Sequence, residues 1–202
     1  TGDYFGPVVV CASYVCENQL DLLRSYGITD SKAMSDKDIQ KAAKSLQNQF
    51  THVIFSLSPK AYNDLHRRYN MNATKALLHN RAYLALSKRV DLPEICMVDQ
   101  FTSEKNYFSY LAYEPEIFHR LQFETKAESR YASVALASVF ARNRFLEEWS
   151  YMEEKYNFHF QKGAGALVDR CAKEFVKQFG YDSLEQVAKI HFKNTDKLKE
   201  GE

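Results

Sequence analysis

A short apolar run that ends in a carboxylate constrains this chain more than any other stretch. Residues 95–98 have the apolar and β-branched character of a buried strand, and Asp99 and Gln100 follow at once. Desolvating an ionised carboxylate at the end of a buried strand costs several kcal/mol unless a cation or hydrogen-bond donors meet it. Asp99 is therefore a candidate functional residue on physical grounds.

A second carboxylate, Glu128, stands where a long helix rich in alanine is predicted to begin, and this helix continues to about Lys155. An acid at the end of a strand and an acid at the start of a helix can converge on one divalent cation, because such cations prefer carboxylate oxygens. The residues alone thus predict an acidic metal site made by Asp99 and Glu128.

The bulk properties are those of a single globular domain that spans residues 1–202. A net charge of +1 gives no support to nucleic-acid binding, so any basic surface must be local. No apolar stretch approaches the ~20 residues that span a membrane, and the start shows no signal-peptide pattern. Three of the four cysteines lie in apolar runs without Cys-x-x-Cys pairing, which favours reduced thiols in a cytoplasmic protein and argues against a zinc site.

The order of the predicted elements favours an α/β fold with a mixed central sheet flanked by helices. Strand patterns occur at residues 8–15, 52–57, 95–99 and 117–123. Ser35, Ser58 and Ser103 are predicted to cap the helices that follow them, and Gly180 to end one. Short connections make the first strands antiparallel, whereas intervening helices make the later strands parallel.

Several polar residues are candidates for binding phosphate groups, each with a simpler alternative. One flank of a predicted helix carries Asn72, Lys75, His79 and Asn80. The alternative is that this flank is simply a solvent-exposed face with a capping asparagine. Lys32 precedes a helix and is more often simply solvated. Lys162 lies in a glycine-containing loop that can receive an anion on N–H groups, although a plain turn is commoner.

Six stretches in order also resemble one family. They are Thr-Gly-Asp-Tyr-Phe-Gly-Pro at 1–7, Thr-Asp-Ser-Lys at 29–32, Asn-Ala-Thr-Lys-Ala-Leu-Leu-His-Asn at 72–80, Val-Asp-Gln-Phe at 98–101, Thr-Lys-Ala-Glu-Ser at 125–129 leading into Ala-Ser-Val-Phe-Ala-Arg at 137–142, and Ile-His-Phe-Lys-Asn-Thr at 190–195. The family that they resemble is ribonuclease HIII, a bacterial type 2 ribonuclease H.

The resemblance implies a ribonuclease H-like fold and an endonuclease that cuts the RNA strand of RNA/DNA hybrids with Mg²⁺ or Mn²⁺ held by four carboxylates. It assigns Asp99 and Glu128 to two of these acids. It also matches Thr1 and Gly2 to the end of a loop that contacts the substrate backbone. Lys32, Lys75, Lys162, Asn72, His79 and Asn80 are then expected to hold phosphates away from the metal. A monomer is expected.

The sequence departs from the family pattern at its start. The family's other two acids, an Asp-Glu pair, precede the Thr-Gly motif on a first strand that this sequence lacks, as it lacks the family's small N-terminal substrate-binding domain. We therefore expect an N-terminally truncated catalytic domain, which is inactive if the pair is absent. The alternative is a non-catalytic module that binds RNA/DNA hybrids; a nuclease of the same superfold acting on DNA junctions is a third reading, less favoured because it needs no 2′-hydroxyl contact.

Overall fold

The computed structural model describes residues 2–28 and 34–199, which divide into two compact units. One unit comprises Val10–Phe55 and Tyr69–Arg144, and the other comprises Thr1–Val9, Ser56–Arg68 and Phe145–Glu202. In the described part of the chain, no helix is both long and apolar enough to cross a membrane. The strands are β1 (Val8–Ser13), β2 (His52–Leu57), β3 (Cys96–Asp99) and β4 (Leu121–Glu124). The α-helices are α1 (Leu20–Ser25), α2 (Asp36–Leu46), α3 (Pro59–His66), α4 (Met71–Ser87), α5 (Glu104–Tyr110), α6 (Ala132–Tyr156), α7 (Ala166–Phe179) and α8 (Lys193–Lys199).

The strands within the described residues pair in two sheets of two strands, β1 with β2 and β3 with β4, where the sequence predicted one mixed sheet. Strands β3 and β4 are parallel, as predicted, and Asp99 is in register with Glu124. Strand β4 begins at Leu121, although extended character was predicted from residue 117, and it pairs with β3 over four residues. The α/β class is confirmed.

In the first unit, capping residues in the sequence correctly predicted where helices α2 and α5 begin. Ser35 accepts a hydrogen bond from the Asp38 N–H at 3.2 Å and so caps α2, and Ser103 caps α5 in the same way through the Asn106 N–H at 3.3 Å. Helices α4 and α5 contact each other across an apolar cluster. The buried members of this cluster are Ala76, Leu77, Tyr107 and Leu111, with Phe101 and Phe123 packed against them.

The second unit has a core of aromatic rings around α7. Phe160 contacts Phe5 and Phe175, with ring centroids 4.9 and 5.4 Å apart. Gly6 has a φ of +79°, and a Cβ there would lie 3.0 Å from a Trp149 ring carbon, so both the backbone and the packing require glycine. Gly180 ends α7 with a φ of 81°, as predicted.

Candidate metal and substrate site

Asp99 is the last residue of β3, and its carboxylate holds the neighbouring turn. The Asp99 Oδ1 accepts a hydrogen bond from the Ala127 N–H at 2.9 Å. Ala127 begins the 3₁₀ turn Ala127–Ser129, which contains Glu128. Asp99 itself is exposed, so its carboxylate does not carry the desolvation cost that its position at the end of an apolar run suggested. The contact places the two predicted acids on adjoining elements.

Glu128 is the buried acid of the pair, with 5% of its surface exposed. It lies before the long helix and not within it, because α6 begins only at Ala132. Lys126 adopts a left-handed φ of 57° just ahead of the turn, a conformation that ends regular extended structure. Glu128 lines a cavity of about 380 Å³. The other lining residues include Leu20, Leu23, Arg24, Arg130, Tyr131 and Ala132.

Glu124 fixes the far side of this turn to the sheet, a role that no pattern in the sequence indicated. The Tyr131 hydroxyl donates to Glu124 Oε2 at 2.6 Å, and Arg130 forms an ion pair with the same carboxylate. The Gln100 N–H donates to the Glu124 carbonyl at 3.0 Å. A carboxylate at the end of a strand was the available signal, and its register with Asp99 was not readable from the sequence. Both ends of the Glu128 turn are thus fixed to β3 and β4.

The chemistry of this donor set fits a hard divalent cation. Carboxylate oxygens suit Mg²⁺ and Mn²⁺, and Mg²⁺ is commonly held by one or two carboxylates together with water and substrate phosphates. Within residues 2–28 and 34–199, no group of three or more His, Cys, Asp or Glu is arranged to hold a metal. Asp99 and Glu128 stay two predicted carboxylate ligands, a number that suits a site in which substrate phosphates and water complete the coordination.

Lys75 and His79 meet at Phe101, two residues beyond Asp99. The Lys75 Nζ lies 4.3 Å from the centre of the Phe101 ring, and the His79 ring stacks on Phe101 with centroids 5.2 Å apart. Burial lowers the pKa of Lys75, and burial together with Lys75 lowers the pKa of His79 to about 4. His79 is therefore neutral at pH 7, so it can accept or donate a hydrogen bond but adds no positive charge. No pattern in the sequence indicated a role for Phe101.

Asn80 has structural partners that the sequence did not indicate. It is 1% exposed. Its Nδ2 donates to the Glu116 carbonyl at 2.8 Å, and its Oδ1 accepts from the Phe118 N–H at 2.9 Å. Both ends of the amide thus hold residues 116–118, which favours a structural role over a phosphate contact. Asn72 lies in the first turn of α4, which Asn70 caps through the Ala73 N–H.

In the loop that contains Lys162, a backbone N–H already binds a carboxylate of the same chain. The Gly163 N–H donates to Asp3 Oδ1 at 2.7 Å, and the Tyr4 N–H donates to the Gly163 carbonyl at 2.8 Å. Lys162 is exposed, with its Nζ 5.8 Å from the centre of a Trp149 ring. Gly2 directly precedes Asp3. The candidates Thr1 and Lys32 lie outside the described residues.

Comparison with known proteins supplies the family. A family model described as Ribonuclease HII matches residues 1–195. Ribonuclease HIII of Streptococcus pneumoniae (strain CGSP14) is 41% identical over 201 residues, covering 98% of this chain and 69% of that relative. Ribonuclease HIII of Listeria monocytogenes serotype 4b (strain CLIP80459) is 40% identical over 201 residues, covering 98% of this chain and 65% of the relative.

The solved structures agree with the sequence relatives. The crystal structure of Bst-RNase HIII in complex with Mn²⁺ has a TM-score of 0.94 and 37% identity, and the match covers 99% of this chain and 66% of that chain. This chain therefore spans about two thirds of the length of these relatives. The resemblance to ribonuclease HIII and the α/β fold that it implies are confirmed. This chain belongs to the ribonuclease HII family.

Proposed function

We propose that this chain is the catalytic domain of an endoribonuclease that cleaves the RNA strand of RNA/DNA hybrids, using Mg²⁺ or Mn²⁺. The observation that carries the proposal is the hydrogen bond from the Ala127 N–H to Asp99, which joins the strand-end acid to the turn holding Glu128. The family match and the similarity to a ribonuclease HIII crystallised with Mn²⁺ support the same reaction class and metal type. A cytoplasmic monomer is part of the proposal, and the four free cysteines agree with a reducing compartment.

Asp99 and Glu128 would hold the cation. When bound, a divalent cation supplies Lewis-acid polarisation of a phosphoryl oxygen and orients the reacting groups. Burial of Glu128 places its oxygens where water competes little for them, whereas exposed Asp99 faces solvent, from which a substrate phosphate arrives. Glu128 would thus be a buried metal ligand, and Asp99 a solvent-accessible one.

The second part of the proposal concerns how the chain holds its substrate. Lys75, braced on Phe101, supplies a cation for a backbone phosphate, and neutral His79 supplies a hydrogen-bond partner beside it. Asn72, Lys32 and Lys162 remain candidates for further phosphate contacts. Thr1 and Gly2 are assigned the contact with the substrate backbone on the family resemblance, where recognition of a 2′-hydroxyl distinguishes RNA from DNA.

The test is cleavage of a hybrid whose RNA strand is end-labelled, with Mg²⁺ or Mn²⁺, against RNA/RNA and DNA/DNA duplexes of the same sequence. The chain is assayed as printed and with any residues that its gene encodes before Thr1, each as wild type and as Asp99→Asn. Asp91→Asn, an exposed acid ahead of β3, is the matched control. We expect cleavage of the hybrid RNA alone, lost in Asp99→Asn and kept in Asp91→Asn. Tight hybrid binding without cleavage in every form would instead establish a non-catalytic binding module.

A further inference from the structure

Lys189 is a lysine with none of its surface exposed, which is rare for this residue type. Its Nζ donates to the carbonyls of Phe5 and Gly6, at 3.2 and 2.6 Å. The side chain therefore ends on the main chain of the N-terminal segment. Neither the metal site nor the phosphate contacts described above use this residue.

The main chains of the two segments are also joined. The Lys189 N–H donates to the Tyr4 carbonyl and the Gly6 N–H donates to the Val187 carbonyl, both at 2.9 Å. Phe5 and Ala188 form an antiparallel bridge between these two bonds. The ammonium thus binds carbonyls of a segment that main-chain hydrogen bonds already hold in register with residues 187–189.

An apolar side chain would fill this space without the desolvation penalty that a buried amine carries. Burial lowers the pKa of Lys189 to about 7, and Asp3 opposes that shift. Unlike an apolar side chain, the Lys189 amine orients the Phe5 and Gly6 carbonyls through its hydrogen bonds. One of them belongs to Gly6, whose left-handed φ of +79° makes the chain turn at that residue.

We propose that Lys189 is a positioning residue that fixes the backbone from Asp3 to Gly6 and thereby sets the position of Gly2 for the substrate. The link to substrate depends on the proposed function, which assigns Thr1 and Gly2 to the hybrid backbone. The link to the N-terminal segment depends only on the contacts of Lys189. Two separate measurements therefore test the two parts.

The first measurement is amide hydrogen exchange of residues 3–6 in Lys189→Met, which keeps the length of the side chain and removes its donors. Lys60→Met is the control, since Lys60 is a partly exposed lysine of the same unit that pairs with Asp64 and Glu185. We expect exchange in the segment to accelerate about tenfold or more in Lys189→Met, to stay near wild type in Lys60→Met and to recover partly in Lys189→Gln, which retains N–H donors. Unchanged exchange, or failure of Lys189→Met to fold, would overturn the proposal.

The second measurement is the affinity for an RNA/DNA hybrid and for a DNA duplex of the same sequence. We expect Lys189→Met to lose about tenfold in hybrid affinity and less than about twofold in DNA affinity, because a displaced loop loses only the RNA-specific contact. Equal losses on both duplexes would refute the positioning role. If the wild type does not prefer the hybrid, the proposed function itself is wrong, and the exchange result still decides what Lys189 does to the segment.

Discussion

Replacement of Asn80 by alanine separates a structural role from a substrate-binding role. The buried Asn80 amide makes two hydrogen bonds, with the Glu116 carbonyl at 2.8 Å and the Phe118 N–H at 2.9 Å. Phe118 is buried, so its N–H would lose its partner where water cannot replace it, at a cost of about 1–3 kcal/mol. Glu116 is exposed, so loss of the bond to its carbonyl costs only about 0.5–1.5 kcal/mol. Together they predict a loss of about 1.5–4.5 kcal/mol in the free energy of unfolding.

Urea denaturation followed by circular dichroism measures this loss, and hybrid affinity is measured under conditions where the variant is fully folded. Asn72→Ala, the same change on the same helix, is the control and is expected to alter stability by no more than about 0.5 kcal/mol. The folded Asn80→Ala protein is expected to bind the hybrid as the wild type does. A variant with wild-type stability and weakened hybrid binding would refute this reasoning and restore Asn80 to the substrate site.

Three further predictions follow from single contacts. Gly6→Ala should lower the free energy of unfolding by about 1–3 kcal/mol, because the left-handed φ and an indole carbon 3.0 Å from the new Cβ both oppose it, whereas Gly2→Ala meets no atom within 4 Å and should be near neutral in the same urea titration. His79 has a pKa lowered to about 4, so the unfolded chain binds the proton more tightly and stability should fall by about 2–3 kcal/mol between pH 6.5 and 4, a dependence that His79→Gln should remove. Lys75→Ala should weaken hybrid binding and reduce its salt dependence by about one phosphate contact, and Lys88→Ala should not; an unchanged salt slope would show that Lys75 does not bind phosphate.

Local sequence signals predicted the helices well because caps and apolar stripes act over a few residues. Ser35 and Ser103 cap the helices predicted for them, and α2 buries Ile39, Ala42, Ala43 and Leu46, which are spaced to share one helical face. The parallel pairing of β3 with β4 also followed from local reasoning, since a helix separates the two strands.

The interactions that shape the candidate site are non-local, and the sequence did not show them. Glu128 was expected to open a helix, but the Ala127 N–H bonds to Asp99 and the chain makes a 3₁₀ turn there instead. The roles of Glu124 and Asn80 depend on which residues the fold brings to them. The pairing of Glu128 with Asp99 was predicted from a strand-end acid and a helix-entry acid, and the family resemblance assigned the same two residues, but the 3₁₀ turn that contains Glu128 was not predicted.

The central claim is that Asp99 and Glu128 hold one divalent cation together, and Mn²⁺ binding tests it most directly. The electron paramagnetic resonance signal of unbound Mn²⁺ gives the affinity of the wild type, Asp99→Asn, Glu128→Gln and the double variant, with Asp91→Asn as the control. We expect each single variant to lose at least about tenfold in affinity and the double variant to lose less than the sum of the two in free energy, since both acids serve the same ion. Wild-type affinity in either single variant, or two losses that add in full, would contradict a shared site.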